Sequence, residues 1–276
     1  GDISYKFIKT QTNGDRQYLI KVTVIKDLVK STTDFDDEIE VGVYFKDDNQ
    51  NRYMVLDMSL TKKRNIIPNC IDTSLLRFQE GVYEKLVDLP RSEGGYQLTW
   101  ERCCRTLSKN LESTSGEADV PVYLICHIPD SVVNTSAQFQ NFVSGFCVGK
   151  SSLSGTSHFD EDGDSIVVSL VNPIKGSASN DPQQRKPRPT TTFTLSKPIP
   201  FNTGYHYLAP FGDDSQNLIS IDSNNVLKAT IVEPGTYYLA YKISEYRNHR
   251  LVTSRIVDVS AISFSCMNNT STNHPT

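Results

Sequence analysis

The sequence has no apolar run approaching the ~20 residues that cross a bilayer, and its start, Gly1-Asp2-Ile3, lacks the basic and apolar regions of a signal peptide. It also lacks the positive field that gathers nucleic acid or an anionic membrane, because its net charge is −4 and its isoelectric point is near 5.8. We therefore expect no nucleic-acid partner and no direct membrane insertion. The chain is expected to be cytosolic or to have lost a signal.

The familiar catalytic motifs are missing. The sequence has no G-x-S-x-G elbow, no H-E-x-x-H, no P-loop and no dinucleotide-binding glycine fingerprint. Its five histidines are scattered, and Cys126 and His127 are strand neighbours whose side chains point to opposite faces. The 32 carboxylates carry no signal for glycoside cleavage, because their separation in space is not encoded in any local pattern. We expect no enzymatic activity.

Helical periodicity is nearly absent, whereas alternation of apolar and polar residues recurs. It is clearest in Arg16–Lys26 and Arg52–Leu60, where every second residue is apolar or aromatic over most of the stretch. Such a pattern predicts strands with one face in a core. Further strands are predicted over residues 3–9, 38–45, 80–89, 94–102, 120–128, 164–171, 191–196, 217–222, 226–231, 235–244 and 251–264.

Short strands separated by Asp, Asn, Gly and Pro clusters are typical of antiparallel sandwiches. A length of 276 residues suits two domains of about 100–150 residues each. We predict an all-β chain with two tandem antiparallel β-sandwich domains, 1–143 and 144–266, and a tail or linker at 267–276. The single tryptophan, Trp100, is predicted to anchor the first core, and the polar segment 176–190 to be an exposed excursion.

The six cysteines do not match a zinc pattern, because no C-x-x-C pair or histidine pair has ligand spacing. An even number favours disulfides and an oxidising compartment, where a bridge adds about 2–4 kcal/mol. Buried free thiols are the alternative, and the spacing does not fix the pairing. We expect disulfides to staple the first domain. The candidates are Cys70, Cys103, Cys104, Cys126, Cys147 and Cys266.

The stretch HFDEDGDSIVVSL, residues 158–170, places aspartates at alternate positions with a glycine that permits a tight turn. The carboxylates of Asp160, Asp162 and Asp164 can converge on one hard cation, and calcium, with about six to eight oxygen ligands, fits best. The alternative is an acidic turn whose aspartates accept hydrogen bonds from backbone amides. Further oxygens were sought in Asp222, Asp258 and Glu245.

Other acidic clusters are weaker metal candidates. We expect Asp34-Phe35-Asp36-Asp37 and Asp213-Asp214 to be solvated turns. The turn Glu245-Tyr246-Arg247-Asn248 is expected to close a hairpin through an ion pair or hydrogen bonds.

Several of these stretches together resemble one protein family. GDISYKF, then EGVYEKLVDLP and GGYQLTWERCCR, followed by HFDEDGDSIVVSL and EYRN, are similar to signatures of large secreted surface proteins of Bacteroidota. These are the gliding-motility-associated or PKD-repeat-containing proteins, and the resemblance spans nearly all of residues 1–266. The chain departs from the family pattern at Cys126, Glu161, Asn225, His249 and Ile256-Val257.

The resemblance implies type IX export to an extracellular, cell-surface location and a role in an adhesin, gliding fibre or appendage. It also implies immunoglobulin-like or cadherin-like domains, in which a D-x-D-G-D turn commonly marks calcium. Expected partners are neighbouring modules of the same long protein, a homo-oligomer or filament, and a cell-surface or glycan ligand. The alternative is a carbohydrate-binding accessory module of a secreted glycan-degrading protein, with Tyr205 and Tyr207 as a stacking platform.

Overall fold

The computed structural model describes residues 1–29, 31, 33–47, 49–66, 77–113, 120–139, 143–155, 158–176, 186–194 and 197–266. Cys70, most of the predicted excursion at 176–190 and the tail at 267–276 lie outside these residues. The strands are β1 (Asp2–Thr10), β2 (Arg16–Asp27), β3 (Glu38–Phe45), β4 (Arg52–Ile66), β5 (Phe78–Leu89), β6 (Tyr96–Arg102), β7 (Val122–Ile128), β8 (Gln138–Phe139), β9 (Val143–Cys147), β10 (Ser152–Gly155), β11 (His158–Phe159), β12 (Ser165–Val171), β13 (Leu218–Ile221), β14 (Val226–Thr230), β15 (Gly235–Arg247) and β16 (Arg250–Phe264).

The predicted class, all-β with two tandem antiparallel β-sandwiches, is confirmed. Over the described ranges the chain forms strands, bridges and turns without a helix, so none of it is a helix of the length and apolarity that a membrane crossing needs. The strand predicted over residues 191–196 does not form in its described part, residues 191–194. Within its described part, Thr192 makes only an isolated bridge to Asn51. Prolines flank the segment on both sides, and a proline lacks the N–H that a ladder requires.

The first sandwich is one sheet folded over itself. Residues 52–59 of β4 pair with β3, whereas residues 60–66 pair with β5, so β4 turns the corner between the two layers. The layer β1-β2-β5-β4 then faces the layer β4-β3-β6-β7 across one apolar core. Trp100 is only 4% exposed in this core, which confirms its predicted anchoring role.

The second sandwich packs the small sheet β10-β14-β13 against strands β12, β15 and β16. Leu227 and Ala229 of β14 share a buried cluster with Tyr241 of β15 and Val257 and Val259 of β16. Strand β9 is an exception to the antiparallel pattern, because it pairs with β16 in the parallel direction. The second core is separate from the first.

The two sandwiches share a sheet. Strand β7 pairs with β6 of the first sandwich along its length, and its other edge pairs with β16 through Cys126–Arg255 and Ile125–Ile256. Hydrogen-bonded neighbours therefore run without a break from β1 to β12. The predicted domain boundary between residues 143 and 144 stays a prediction. The two sandwiches are joined by strand pairing and not only by a linker.

Two asparagines and a histidine with positive φ angles have a physical role. Asn248 and His249 form the two-residue loop of the β15–β16 hairpin with φ angles of 51° and 63°, as a type I′ turn requires. Asn225, with φ of 59°, accepts a hydrogen bond from Val168 N–H and donates one to Ile166 O at the open edge of β12. Its amide thus satisfies backbone groups that an edge strand would otherwise leave unpaired.

The disulfides differ from the expected arrangement. Cys147, at the end of β9, is bonded to Cys266 just beyond β16, so the long-range bridge staples the second sandwich and not the first. Cys103 and Cys104 are bonded to each other. Cys126 is a buried free thiol, which corrects its candidacy as a disulfide partner within the described chain. It faces the first core from β7, and burial raises its pKa well above the ordinary value.

Candidate functional site

The acidic turn connects β11 to β12 and brings its three aspartates together. Gly163 adopts a φ of 77°, which folds the chain back so that one carboxylate oxygen of each of Asp160, Asp162 and Asp164 lies within 4.8 Å of the others. Asp164 is buried, Asp160 half-buried and Asp162 exposed. Convergence of the three carboxylates, predicted from their alternate spacing, is therefore present.

Most of these carboxylate oxygens already accept hydrogen bonds from the protein. Asp160 Oδ1 accepts the backbone N–H groups of Asp162 and Asp164 at 3.0 and 2.9 Å. Asp162 Oδ2 accepts the N–H of Thr135 at 2.6 Å. The backbone-capping role that was the alternative to calcium thus accounts for two of the three side chains.

Arg247 places a positive charge beside the turn. Its Nε and Nη2 contact the two oxygens of Asp164 at 2.6 and 2.9 Å, and its Nη2 lies 3.6 Å from Asp162. Its guanidinium also donates to Asn134 Oδ1 and Val133 O. The hydrogen bond to Asp164 raises the pKa of Arg247 further. These bonds confirm the expected structural role of the Glu245–Asn248 turn.

The donor set fits calcium only in part. Asp160 Oδ2 is buried and has no hydrogen-bond partner among the described residues, so this oxygen is suited to a cation. Burial, together with the charges of Asp164 and Asp162, raises the pKa of Asp160. Calcium takes about six to eight oxygens. An ion that used both oxygens of Asp164 would have to displace Arg247, because Arg247 donates a hydrogen bond to each of them.

The further oxygens sought for calcium are engaged elsewhere. Asp222 accepts the N–H groups of Asn224 and Val226 in its own turn. Asp258 is paired with Arg105, and Glu245 with Arg255. None of the three belongs to the converging group of carboxylates in the described part of the chain.

The weaker acidic clusters are only partly the solvated turns we expected. Asp214 is exposed and accepts the N–H of Gln216, as a turn residue does. Asp34 is exposed and pairs with Lys63. Asp36 departs from the expectation, because it is half-buried and its Oδ2 accepts a hydrogen bond from Arg102 Nε at 2.7 Å.

A buried charge network lies where the two sandwiches meet. Arg255 of β16 is 2% exposed, and its Nε and Nη1 contact Asp2 of β1 at 3.0 Å and Glu245 of β15 at 3.2 Å. Its Nη2 donates to Ala137 O. Glu245 also accepts hydrogen bonds from Asn134 Nδ2 and Ala137 N–H, at 2.9 and 2.8 Å. Each charged group in the network therefore has hydrogen-bonding partners inside the protein.

A second buried pair crosses the same junction. Arg105, which follows β6, contacts Asp258 of β16 through Nε at 3.0 Å and through Nη2. The Arg105 guanidinium also lies 5.7 Å from the ring centroid of Tyr238 on β15. The first and second sandwiches are thus joined by ion pairs as well as by strand pairing.

The burial of Arg255 has a signal in the sequence. Arg255 shares its position in the two-residue alternation with Thr253, Val257, Val259 and Ala261, all of which are buried. The pattern therefore places an arginine on an inward face, where a charge needs partners. Its partners come from β1 and β15, so no local pattern could identify them.

The tyrosines of the alternative glycan platform occupy different surroundings. Tyr205 is half-buried and packs at the margin of the second core, 6.4 Å from the ring of Tyr237. Tyr207 is half-buried, and its ring stands at 75° to that of His206. Packing against the sandwich accounts for Tyr205 without a ligand.

The pH dependence of stability tests the burial of His127, which lies on β7. Burial lowers the pKa of His127 from 6.5 to about 4, while its Nε2 lies 2.9 Å from Gly94 O. The unfolded chain thus binds a proton below pH 6.5 that the folded chain refuses until about pH 4. Stability should fall as pH drops through this window. In urea unfolding, the free energy of unfolding of His127→Gln should fall less over this pH range than that of the parent. An equal fall in both proteins would contradict the lowered pKa of His127.

The chain was compared with family models, curated proteins and solved structures. No family model matches it, and no curated protein matches it. A solved structure described as "Tandem Ig repeats of Dlar" aligns with 95% of this chain and 100% of its own, at 7% identity and a TM-score of 0.23. So weak a likeness carries no argument, and the fold described above rests on the strands and contacts of this chain.

Proposed function

We propose that this chain is a non-enzymatic structural and adhesive module of a secreted bacterial cell-surface protein, one that transmits load between neighbouring modules. The observation that supports it is the sheet that continues from the first sandwich into the second through β7 and β16. A module that bears load benefits from such a sheet, because bending the junction breaks hydrogen bonds instead of moving a linker.

Two further features support a load-bearing role. The pairs Arg255–Asp2 and Arg105–Asp258 join β16 to the first sandwich, so the last long strand is held from both sides. The Cys147–Cys266 bridge then fixes the end of that strand to β9. The same network connects β1 and β16, the strands nearest the two ends of the described chain.

Pulling single molecules of the Cys147→Ser, Cys266→Ser double variant from both ends tests this role, because the intact bridge would shield the residues between the two cysteines from the force. We expect one cooperative unfolding event for the two sandwiches together, because rupture of the β7–β16 junction exposes both cores. Two well-separated events of similar force, each releasing about half of the chain, would contradict the proposal. Arg250→Ala serves as a control for substitutions of Arg255, because Arg250 is exposed and lies on the same strand.

The proposed location is extracellular, at the cell surface, with export by the type IX route. Antibodies raised against the chain should label intact cells that produce it, and deletion of the outer-membrane secretion machinery should abolish the label. Labelling only after lysis would contradict the location.

Assembly into an oligomer or filament is part of the same proposal, and light scattering of the purified chain over a range of concentrations measures it directly.

We keep calcium at the acidic turn as a proposal, supported by the converging aspartates and the unpartnered oxygen of Asp160. If calcium binds, chelation should lower the melting temperature, and replacing Asp160, Asp162 and Asp164 by asparagine should abolish that difference. Arg247→Gln separates the ion from the guanidinium. It should strengthen the response to calcium, because it removes the cation that now neutralises Asp164. If calcium does not change the melting temperature of the parent or of Arg247→Gln, the acidic turn does not bind the ion.

A further inference from the structure

A cavity of about 350 Å³ lies between the two sandwiches, in the size range of small-molecule sites. Strands β2, β5 and β6 contribute to one side, and β15 and β16 to the other. Thr33 and Asp34, which are exposed, lie at its margin. The acidic turn does not line it, so the cavity is separate from the candidate metal site.

Aromatic rings line much of this cavity. They come from both sandwiches and are Phe35, Phe78, Tyr83, Trp100 and Tyr238. The two tyrosine hydroxyls are held by the protein: Tyr83 donates to Asp36 O at 2.7 Å, and Tyr238 lies 2.8 Å from Thr106 Oγ1. The rings are therefore fixed. Phe35 is half-buried and offers ring surface to the cavity, whereas the other four are at most 8% exposed and form its packed wall. The bonded pair Cys103–Cys104 adds sulfur surface to the wall.

The charged side chains of the cavity wall already have partners: Lys26 lies 3.7 Å from Asp34, and Asp27 accepts the N–H of Val29. Arg102 pairs with Asp36 at 2.7 Å, and Arg105 pairs with Asp258, which is also on the wall. A charged ligand would lose its hydration on entry and would have to compete with these pairs for compensation. Hydroxyl groups complete the lining, on Ser31, Thr33, Thr106 and Ser260. This combination favours an uncharged ligand with many hydroxyls and an apolar ring face.

We infer that the cavity between the two sandwiches binds an uncharged saccharide unit. Its C–H face would lie against the Phe35 ring, and its hydroxyls would exchange hydrogen bonds with the serine and threonine hydroxyls and with the paired arginine and aspartate side chains. The site is not the Tyr205 and Tyr207 platform, which lies outside this cavity. The inference is independent of the load-bearing role, because the lining residues carry it and the shared sheet does not.

The only tryptophan of the chain gives a direct readout, because Trp100 lines the cavity. The purified chain is titrated with glucose, galactose, mannose, N-acetylglucosamine and cellobiose while Trp100 fluorescence is recorded. We expect a saturable change with at least one of them. Glucuronic acid serves as a charged comparison and should bind at least about tenfold more weakly than the best neutral sugar.

Matched variants place the response in the cavity. Ser31→Phe and Thr33→Phe add a ring to the wall or its margin and should weaken binding at least about tenfold. Ser131→Phe and Thr203→Phe make the same exchanges at exposed positions outside the cavity and should leave it within about twofold. Four results would overturn the inference: no saturable change with any neutral sugar, a preference for glucuronic acid, full binding by both cavity variants, or equal loss in the control variants.

Discussion

Arg255→Met should destabilise the protein by about 3–5 kcal/mol, the cost of removing one partner from a buried ion pair. The variant keeps the apolar stem but leaves Asp2 and Glu245 without their cation in a buried junction. Burial already raises the pKa of Glu245, and Arg255 opposes that rise. The loss should therefore be greatest near neutral pH and smaller in acid, where the uncompensated carboxylates become protonated. Urea unfolding measured from pH 4 to pH 8 tests both effects.

Arg250→Met is the matched control, because Arg250 lies on the same strand and is exposed. Its free energy of unfolding should change by about 0.5 kcal/mol or less. A loss below about 1 kcal/mol for Arg255→Met, within the range of a surface ion pair, would show that the network does not hold the junction. Adding Glu245→Leu to Arg255→Met should recover part of the loss, because it removes one of the two unpaired charges.

Replacing Cys147 and Cys266 together by serine should cost about 2–5 kcal/mol. The two residues are 119 positions apart, so their bond restricts a long loop of the unfolded chain. Because β9 ends at Cys147 and β16 at Phe264, the bond also holds the one parallel strand pair of the described chain. Guanidinium unfolding of the double variant against the parent measures the effect.

The bridge between Cys103 and Cys104 provides the control within the same chain. Its cysteines are adjacent, so it closes no loop of the unfolded chain. Replacing both by serine should therefore cost less than replacing Cys147 and Cys266. If the adjacent pair proved the more important for stability, loop closure would not explain how the disulfides act.

The strands could be predicted because their signal is local. The alternation in Arg16–Lys26 and Arg52–Leu60 places the residues that the structure buries on one face. Strands β8 and β11 were missed, because two residues leave no room for an alternating pattern, and β9 and β10 were missed, because small residues interrupt the alternation in VSGFC and SLSG. The false strand at 191–196 had the right composition but not the partner strand that a ladder needs.

The junction could not be predicted, because its parts are distant in sequence. Asp2 and Arg255 are separated by 253 positions, and nothing near either residue indicates the other. The acidic turn lies between these cases. Alternation brought Asp160, Asp162 and Asp164 together as predicted, but Arg247, which follows about 80 residues later, supplies a charge we had assigned to an ion. The contacts of a side chain could not be predicted from its own segment where a residue distant in sequence, such as Arg247 or Asp2, lies beside it.

Residual dipolar couplings of the backbone amides test the shared sheet most directly. If β7 and β16 join the two sandwiches into one body, couplings from β1–β7 and from β12–β16 will fit one alignment tensor with the present coordinates. Two tensors of clearly different magnitude would mean that the sandwiches reorient independently, and the load-bearing role built on their junction would be wrong.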